Sequence, residues 1–359
     1  MHLLSLGSHR SDCYLGVLTR LRARRARRRP LVTDSPQMPI CDQEDVLTLS
    51  KWNVESIGDQ TGKTAVVTGA NSGVGLHTAA ALVANGANVI MACRDLKRSA
   101  DALGQVRSAG PGTAELAELD LADLDSVRAF AERFAQDFDQ LDILINNAGI
   151  MGGPRRDSAQ GLELQMGTNH FGHFALTAQL WPQLAAAPRA RVVALSSLAA
   201  RGGSLDAEMT AKLLVDPDPY KEMSVYSNTK QANLLFSQEL HRRSVASGAA
   251  VASIAAHPGV SATNLTSNQL KGRKISFSTP VVDGLAKVFL QGSAAGATPA
   301  IRAATDETVA SGSFVGPDAL GQSRGAPEVI SVYKTGRDAA TAAELWSLSQ
   351  EITDTTLLS

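Results

Sequence analysis

A doubly wound parallel α/β sheet in one domain is the fold class this sequence predicts, and three observations carry the prediction. Short apolar strands alternate with helix-length periodic segments from Thr61 onward. A glycine-rich turn, TGANSGVG (68–75), follows the first strand and opens a helix. The composition is 44% hydrophobic with 30 Gly and only 4% aromatic residues, which suits an α/β protein better than an aromatic-rich β-sandwich.

Taken in order, KTAVVTG (63–69) reads as a buried strand, with a helix through HTAAALVANG (77–86). NVIMACR (88–94) is the second strand, followed by a helical stretch to about Ser108. AELAELDL (114–121) is the third, and SVRAFAERFAQDF (126–138) has helical spacing. LDILINNAG (141–149) and ARVVALSS (190–197) are two more strands, separated by a helix around 165–186. A helix runs from Tyr226 to about Ser247, VASIAAHPG (251–259) supplies a sixth strand, and GSFVGPD (312–318) a last one. Strands alternating with helices give a parallel sheet covered on both faces. Right-handed crossovers make it doubly wound, Rossmann-like and three-layered, with ligands gathering at the carboxyl ends of the strands. No break in composition divides residues 60–320, so residues 46–359 are expected to form one domain.

Charge is unevenly placed. The net charge is −1, which gives no electrostatic reason to expect nucleic acid or an acidic membrane as partner. Yet residues 1–30 carry about +7, eight Arg less Asp12, with seven of the Arg in RLRARRARRR (20–29). PLVTDSPQ follows instead of an apolar stretch, so neither a secretory nor a twin-Arg export signal fits. A disordered extension over residues 1–45 is expected, and translation starting at Met38 is a further reading. No apolar run reaches the roughly 18 residues of a membrane-spanning helix. Cys13, Cys41 and Cys93 are too scattered for a disulfide framework or a metal site, so a reducing, cytoplasmic compartment is the default.

The candidate site begins at the glycine turn. Glycines permit a tight turn and close backbone approach, while the helix N-terminus offers free N–H groups to a pyrophosphate. Gly69, Asn71, Ser72, Gly73, Val74 and Gly75 are therefore expected at a dinucleotide. The second strand ends MACRD, where Arg94 could make a forked contact to a ribose 2′-phosphate. Asp95, one residue later, could start the next helix or bind a 2′-hydroxyl. That pattern favours NADP(H) over NAD(H). Asp120 and Leu121, at the end of the third strand, are placed for an adenine-edge contact. Asn147, Ala148 and Gly149 end the fourth strand with small residues that let backbone lie against a cofactor. Ser196 and Ser197 end the fifth, and Asn169 lies within the intervening helix. His170 and His173 have H-x-x-H spacing, but no third ligand accompanies them. Packing or hydrogen bonding is expected there, and no metal.

The motifs TGANSGVG, NNAG, the Ser pair, YSNTK (226–230) and HPGVSAT (257–263) resemble, in order and spacing, the short-chain dehydrogenase/reductase family. The TG-x-x-x-G-x-G form is similar to its short, non-extended branch. ACRD (92–95), NHFGHF (169–174) and YSNTKQANLLF (226–236) are similar to the retinol dehydrogenase-like subgroup, which typically prefers NADP. The resemblance implies an oxidoreductase interconverting a carbonyl compound and an alcohol. Tyr226 would be general acid or base, and Lys230, one helical turn on, should lower its pKa and bond the nicotinamide ribose. Ser197 would hydrogen-bond the substrate oxygen. Asn169 would hold a water relaying protons to Lys230. Pro258, Gly259 and Thr263 would line the nicotinamide, and Val260 would contact its carboxamide. A substrate-facing lid is expected at about 260–285, where Leu265, Leu270, Ile275 and Phe277 suggest a moderately hydrophobic substrate. The rigid Asp-Pro-Asp-Pro turn (216–219) would lie beside the pocket. A homodimer or homotetramer, paired through the helices after the fourth and fifth strands, is compatible with the resemblance. An NAD-linked dehydrogenase reading Asp95 and a catalytically silent nucleotide-binding regulator are the alternatives.

Overall fold

The computed structural model describes residues 51–206, 219–260 and 292–358. The Arg-rich extension, Thr263, nearly all of the lid segment, and Asp216, Pro217 and Asp218 lie outside the described residues.

Eight strands form one sheet in the order β3-β2-β1-β4-β5-β6-β7-β8. They are β1 Thr64–Thr68, β2 Asn88–Cys93, β3 Thr113–Glu118, β4 Ile143–Asn146, β5 Ala190–Leu195, β6 Val251–Ala256, β7 Phe314–Ala319 and β8 Arg324–Ile330. The first seven pair in parallel, and β8 pairs antiparallel with β7. The order reverses between β1 and β4, which opens a crevice at their carboxyl ends.

Alternation along the strands sorts side chains to the two helical layers. Val66, Leu144 and Val192 meet Phe130 and Phe134 of α3 (Leu124–Asp137), Phe174 of α4 (Gly172–Gln179), and Phe236 of α6 (Glu222–Ser247). Trp346 of α8 (Ala339–Thr353) completes that layer, its ring centroid 5.1 Å from Phe174 and 5.8 Å from Phe236. Val67, Ile145 and Val193 face Leu82 and Val83 of α1 (Gly73–Ala84), Val106 of α2 (Leu96–Arg107), and Ala300 and Ala304 of α7 (Ser293–Thr305). None of the described helices is long and apolar enough to cross a membrane.

Three details differ from the sequence reading. The helix expected at 165–186 is broken into Leu164–Met166, a π-helical turn Gly167–Phe171, α4 and α5 (Trp181–Ala186), with Pro182 near the start of α5. Helix α6 begins at Glu222, a turn before Tyr226, and ends at left-handed Gly248 (φ +73°). Helices α7 and α8 and strand β8 are additional to the elements read from the sequence. Pro299 inside α7 removes a backbone donor, and the Thr298 hydroxyl bonds the Ala295 carbonyl that would otherwise accept from it.

Candidate active site

At the crevice the turn after β1 is shaped for close backbone approach. Gly69 and Gly73 have φ of +65° and +58°, where a Cβ is disfavoured. A Cβ on Gly75 would sit 2.5 Å from both Asn147 Nδ2 and the Gly69 carbonyl oxygen. Ser72 caps α1 without a side-chain bond, so the first-turn N–H groups face the cleft uncapped. This cradle fits a dinucleotide pyrophosphate.

Thr68 locks the cradle to the end of β4. Its Oγ1 accepts from the N–H groups of Asn147 and Ala148, both at 2.9 Å, and Asn147 Nδ2 donates to the Thr68 carbonyl at 2.7 Å. The hydroxyl proton points to His173 Nε2 at 2.9 Å. His173 Nδ1 lies 3.1 Å from the Asn169 carbonyl, which only accepts, so Nδ1 carries the proton and Nε2 accepts. Burial holds His173 neutral, with its pKa pushed down to about 3. His170 is likewise buried, bonded to Ser349 at 2.9 Å and pushed down to about 4 by burial. Both histidines work as internal hydrogen-bonding groups.

The end of the cleft beyond β2 and β3, where the sequence reading places the adenosine, carries Arg94, Arg98 and Asp120. Asp95 is the N-cap of α2: its Oδ1 accepts from Arg98 N at 3.1 Å, and its Oδ2 pairs with Arg98 Nε at 3.2 Å. Asp95 thus spends its carboxylate on the helix start, the first of the two roles open to it. Asp120 Oδ1 accepts from Ala122 N at 2.9 Å, fixing the bend after β3.

At the other end Ser197, Tyr226 and Lys230 share the wall with the glycine turn, in one cleft of about 750 Å³. Asn147, Ala148, Gly149 and Pro258 line it too. Asn169 and Gly259 are buried outside this lining, and Val260, expected to contact a carboxamide, is exposed and does not line the cleft. Asn169 Oδ1 accepts from Ile150 N at 2.8 Å, and its Nδ2 donates to the Ile150 carbonyl at 2.9 Å and Thr229 Oγ1 at 3.0 Å. It therefore clamps the chain leaving β4 to helix α6. Lys230 Nζ donates to the Leu195 carbonyl at 3.1 Å and lies 5.8 Å from the Tyr226 ring centroid. Burial pushes the Lys230 ammonium down to about 8.

The expected lowering of the Tyr226 pKa by Lys230 is not what the structure has. Burial raises the phenol above its usual value, and the opposing influence is a hydrogen bond with Ser197. The phenol is 6% exposed, with the Lys230 ammonium over the face of its ring, and desolvation of the phenolate wins. Tyr226 is protonated at neutral pH.

Sequence reasoning missed a network that holds the 150–153 segment, all of which lines the cleft. Buried Glu163 accepts from Gln165 N at 3.0 Å, Met166 N at 2.7 Å and the Tyr220 hydroxyl at 2.9 Å. Gln165 Nε2 donates to Tyr220 Oη at 2.8 Å, and Gln165 Oε1 holds Gly152 N at 2.9 Å. Glu222 Oε2 holds Gly153 N at 2.9 Å. Burial pushes the Tyr220 phenol up to about 12. Its partners lie 55 and 57 residues upstream, and no local pattern marks them. Tyr220→Phe removes one of the two donors to Glu163 Oε1 and the hydroxyl that accepts from Gln165 Nε2, and is expected to lower the unfolding free energy by about 1–3 kcal/mol. Urea titration checks this; an unchanged midpoint would mean that the hydroxyl carries no part of the clamp.

A doubly wound sheet with a glycine cradle, and with tyrosine, lysine and serine on the same cleft, is the architecture of a dinucleotide-binding α/β protein. Residues 63–209 match the short chain dehydrogenase family. The chain is 35% identical to human (Homo sapiens) retinol dehydrogenase 13 over 293 residues, 81% of this chain and 84% of that one. It is 43% identical to mouse (Mus musculus) retinol dehydrogenase 14 over 57% of this chain, a match spanning 63% of the mouse protein's length. The crystal structure of an uncharacterised protein from Mycobacterium paratuberculosis superposes with a TM-score of 0.68 at 37% identity, covering 85% of this chain and 98% of that one. The chain belongs to the short-chain dehydrogenase/reductase family, in its retinol dehydrogenase-like subgroup.

Proposed function

We propose that the protein interconverts a carbonyl compound and an alcohol with NADP(H), used in preference to NAD(H). The observation that carries this reading is the single cleft in which Tyr226, Ser197 and Lys230 face the glycine cradle. When bound, the nicotinamide supplies or accepts hydride. Tyr226, protonated at neutral pH, donates its proton to the carbonyl oxygen in reduction and takes it back in oxidation. Ser197 Oγ hydrogen-bonds the same oxygen and stabilises the charge that develops on it. Lys230, held by the Leu195 carbonyl, orients the ribose and adds positive potential at the phenol. Gly149 lets the ribose and Lys230 approach: a Cβ there would lie 3.3 Å from Lys230 Nζ. All four residues of the catalytic set are present, which disfavours a silent regulator.

The NADP preference is supported by two exposed cations, Arg94 and Arg98, on the cleft wall and by the commitment of Asp95 to capping. Arg94→Ala is expected to weaken NADPH binding about 10-fold to 100-fold, the size of a charge-assisted hydrogen bond, and to leave NADH binding nearly unchanged. Equilibrium titration of both cofactors against wild type and variant tests this, and equal weakening of the two would contradict it. The substrate class, a moderately hydrophobic carbonyl compound or alcohol, rests on the subgroup likeness.

A further inference from the structure

The wall that carries Pro258 is tied to a strained hairpin at the edge of the sheet. Strands β7 and β8 are joined through Leu320, Gly321 and Gln322, with φ of 47°, 66° and 71°. Left-handed backbone is disfavoured for any residue with a Cβ, so leucine and glutamine there need a compensating role. Leu320 is 57% exposed and gains little from packing.

Gln322 gains contacts. Its Oε1 accepts from the Tyr333 hydroxyl at 2.8 Å and from Arg201 Nη2 at 2.6 Å. The Arg201 guanidinium also lies 4.7 Å over the Tyr333 ring. Because the Tyr333 proton goes to Gln322, the contact between Tyr333 and His257 Nε2 at 3.2 Å has the imidazole as donor. His257 Nδ1 accepts from Gly259 N at 3.1 Å, which fixes the same tautomer independently. Burial keeps this imidazole neutral, with its pKa pushed down to about 3. One residue past the turn, the Ser323 carbonyl accepts from Val260 N at 2.8 Å. The strained turn therefore grips both ends of the 257–260 loop, one through Tyr333 and His257 and the other through backbone. Through Arg201 it also grips the turn Leu198–Gly202, which Ser197 caps.

We propose that the β7–β8 turn is a brace, with Gln322 as a positioning residue that holds the 257–260 loop against the nicotinamide end of the cofactor. The inference rests on the cofactor reading above. The mechanical reason is that buried His257 and Gly259 and the backbone of Val260 make these bonds outside the cleft lining, while Pro258 between them lines the cleft. Loosening the turn should then be felt at one end of the dinucleotide only.

The test is an equilibrium titration with NADPH and with its fragment lacking nicotinamide, 2′-phospho-ADP-ribose, alongside thermal unfolding. Gln322→Gly removes the acceptor but accommodates the left-handed backbone. It is expected to raise the Kd for NADPH about tenfold, leave the fragment's Kd unchanged, and not lower Tm. Leu320→Gly relieves the same backbone and removes no hydrogen-bonding side chain; it should raise Tm by about 2 °C with both Kd values unchanged. Gln322→Glu keeps an acceptor for Arg201 and Tyr333 and should bind NADPH like wild type. An unchanged NADPH Kd in Gln322→Gly, or equal weakening of both ligands, overturns the brace alone. A wild-type protein that binds neither ligand overturns the cofactor reading and the brace with it.

Discussion

Tyr226→Phe is expected to lower kcat by about 10²-fold to 10⁴-fold, the usual worth of a positioned proton donor. The substitution removes one oxygen from a ring that is 6% exposed, and the packing of the ring is retained. Cofactor affinity should therefore change little, because the glycine cradle and the adenosine rim are untouched. The effect belongs to kcat, since the lost interaction is made fully only as charge develops on the substrate oxygen. Burial raises the phenol above its ordinary value, which also fixes a pH dependence. Wild-type carbonyl reduction should stay level through neutral pH and fall in the alkaline range, first as Lys230 loses its proton at about 8 and then where the phenol ionises. Steady-state kinetics of both enzymes across pH check this, and near-normal turnover in the phenylalanine variant would sink the assignment.

Lys230→Met is expected to stabilise the fold at neutral pH while lowering turnover about 10²-fold or more. The physical conflict lies in burial. Lys230 is 5% exposed, and its ammonium titrates at about 8 in place of the usual 10.5. Below about pH 8 both folded and unfolded chains carry the proton, and the folded state bears the full penalty of a desolvated charge, on the order of 3 kcal/mol. Between about 8 and 10.5 the folded lysine is neutral and the unfolded one is still charged, so the unfolded state binds more protons and stability rises with pH. The methionine side chain removes the charge at nearly the same length but loses the bond to the Leu195 carbonyl, so a net gain of about 1–2 kcal/mol at pH 7 is expected. Urea unfolding at pH 7 and pH 10 should show the variant's advantage shrinking as pH rises. A variant less stable than wild type at pH 7, with the same pH dependence, would contradict the burial argument.

What was legible in the sequence had local causes. Strands such as KTAVVTG and NVIMACR are buried on both faces, so they read as apolar runs, and the glycine turn is shaped within eight consecutive residues. The Tyr226–Lys230 pair sits one turn apart on a single helix and was equally visible. The unexpected strand β8, RGAPEVI, has glycine and proline within it and lies largely exposed at the sheet edge, so it lacks an apolar run. Helix α8 buries a face of Ala342, Leu345, Trp346 and Ser349, a mixture that reads weakly as amphipathic. The pKa relation failed because spacing along a helix does not report burial, and burial decides the phenol's proton affinity. Contacts such as Glu163 with Tyr220, or His257 with Tyr333 across 76 residues, are set by how the elements pack.

Hydride transfer to a carbonyl carbon is the chemistry proposed for the cleft at the carboxyl ends of β1, β4 and β5. The direct measurement is a single-turnover reaction of wild-type protein with NADPH carrying deuterium at the transferable position, against a panel of aldehydes and ketones. The expected result is loss of the reduced-nicotinamide absorbance with at least one member of the panel and one deuterium on the carbinol carbon of its alcohol. Tight binding of NADPH without cofactor oxidation across the whole panel, or an alcohol formed without the label, would contradict it.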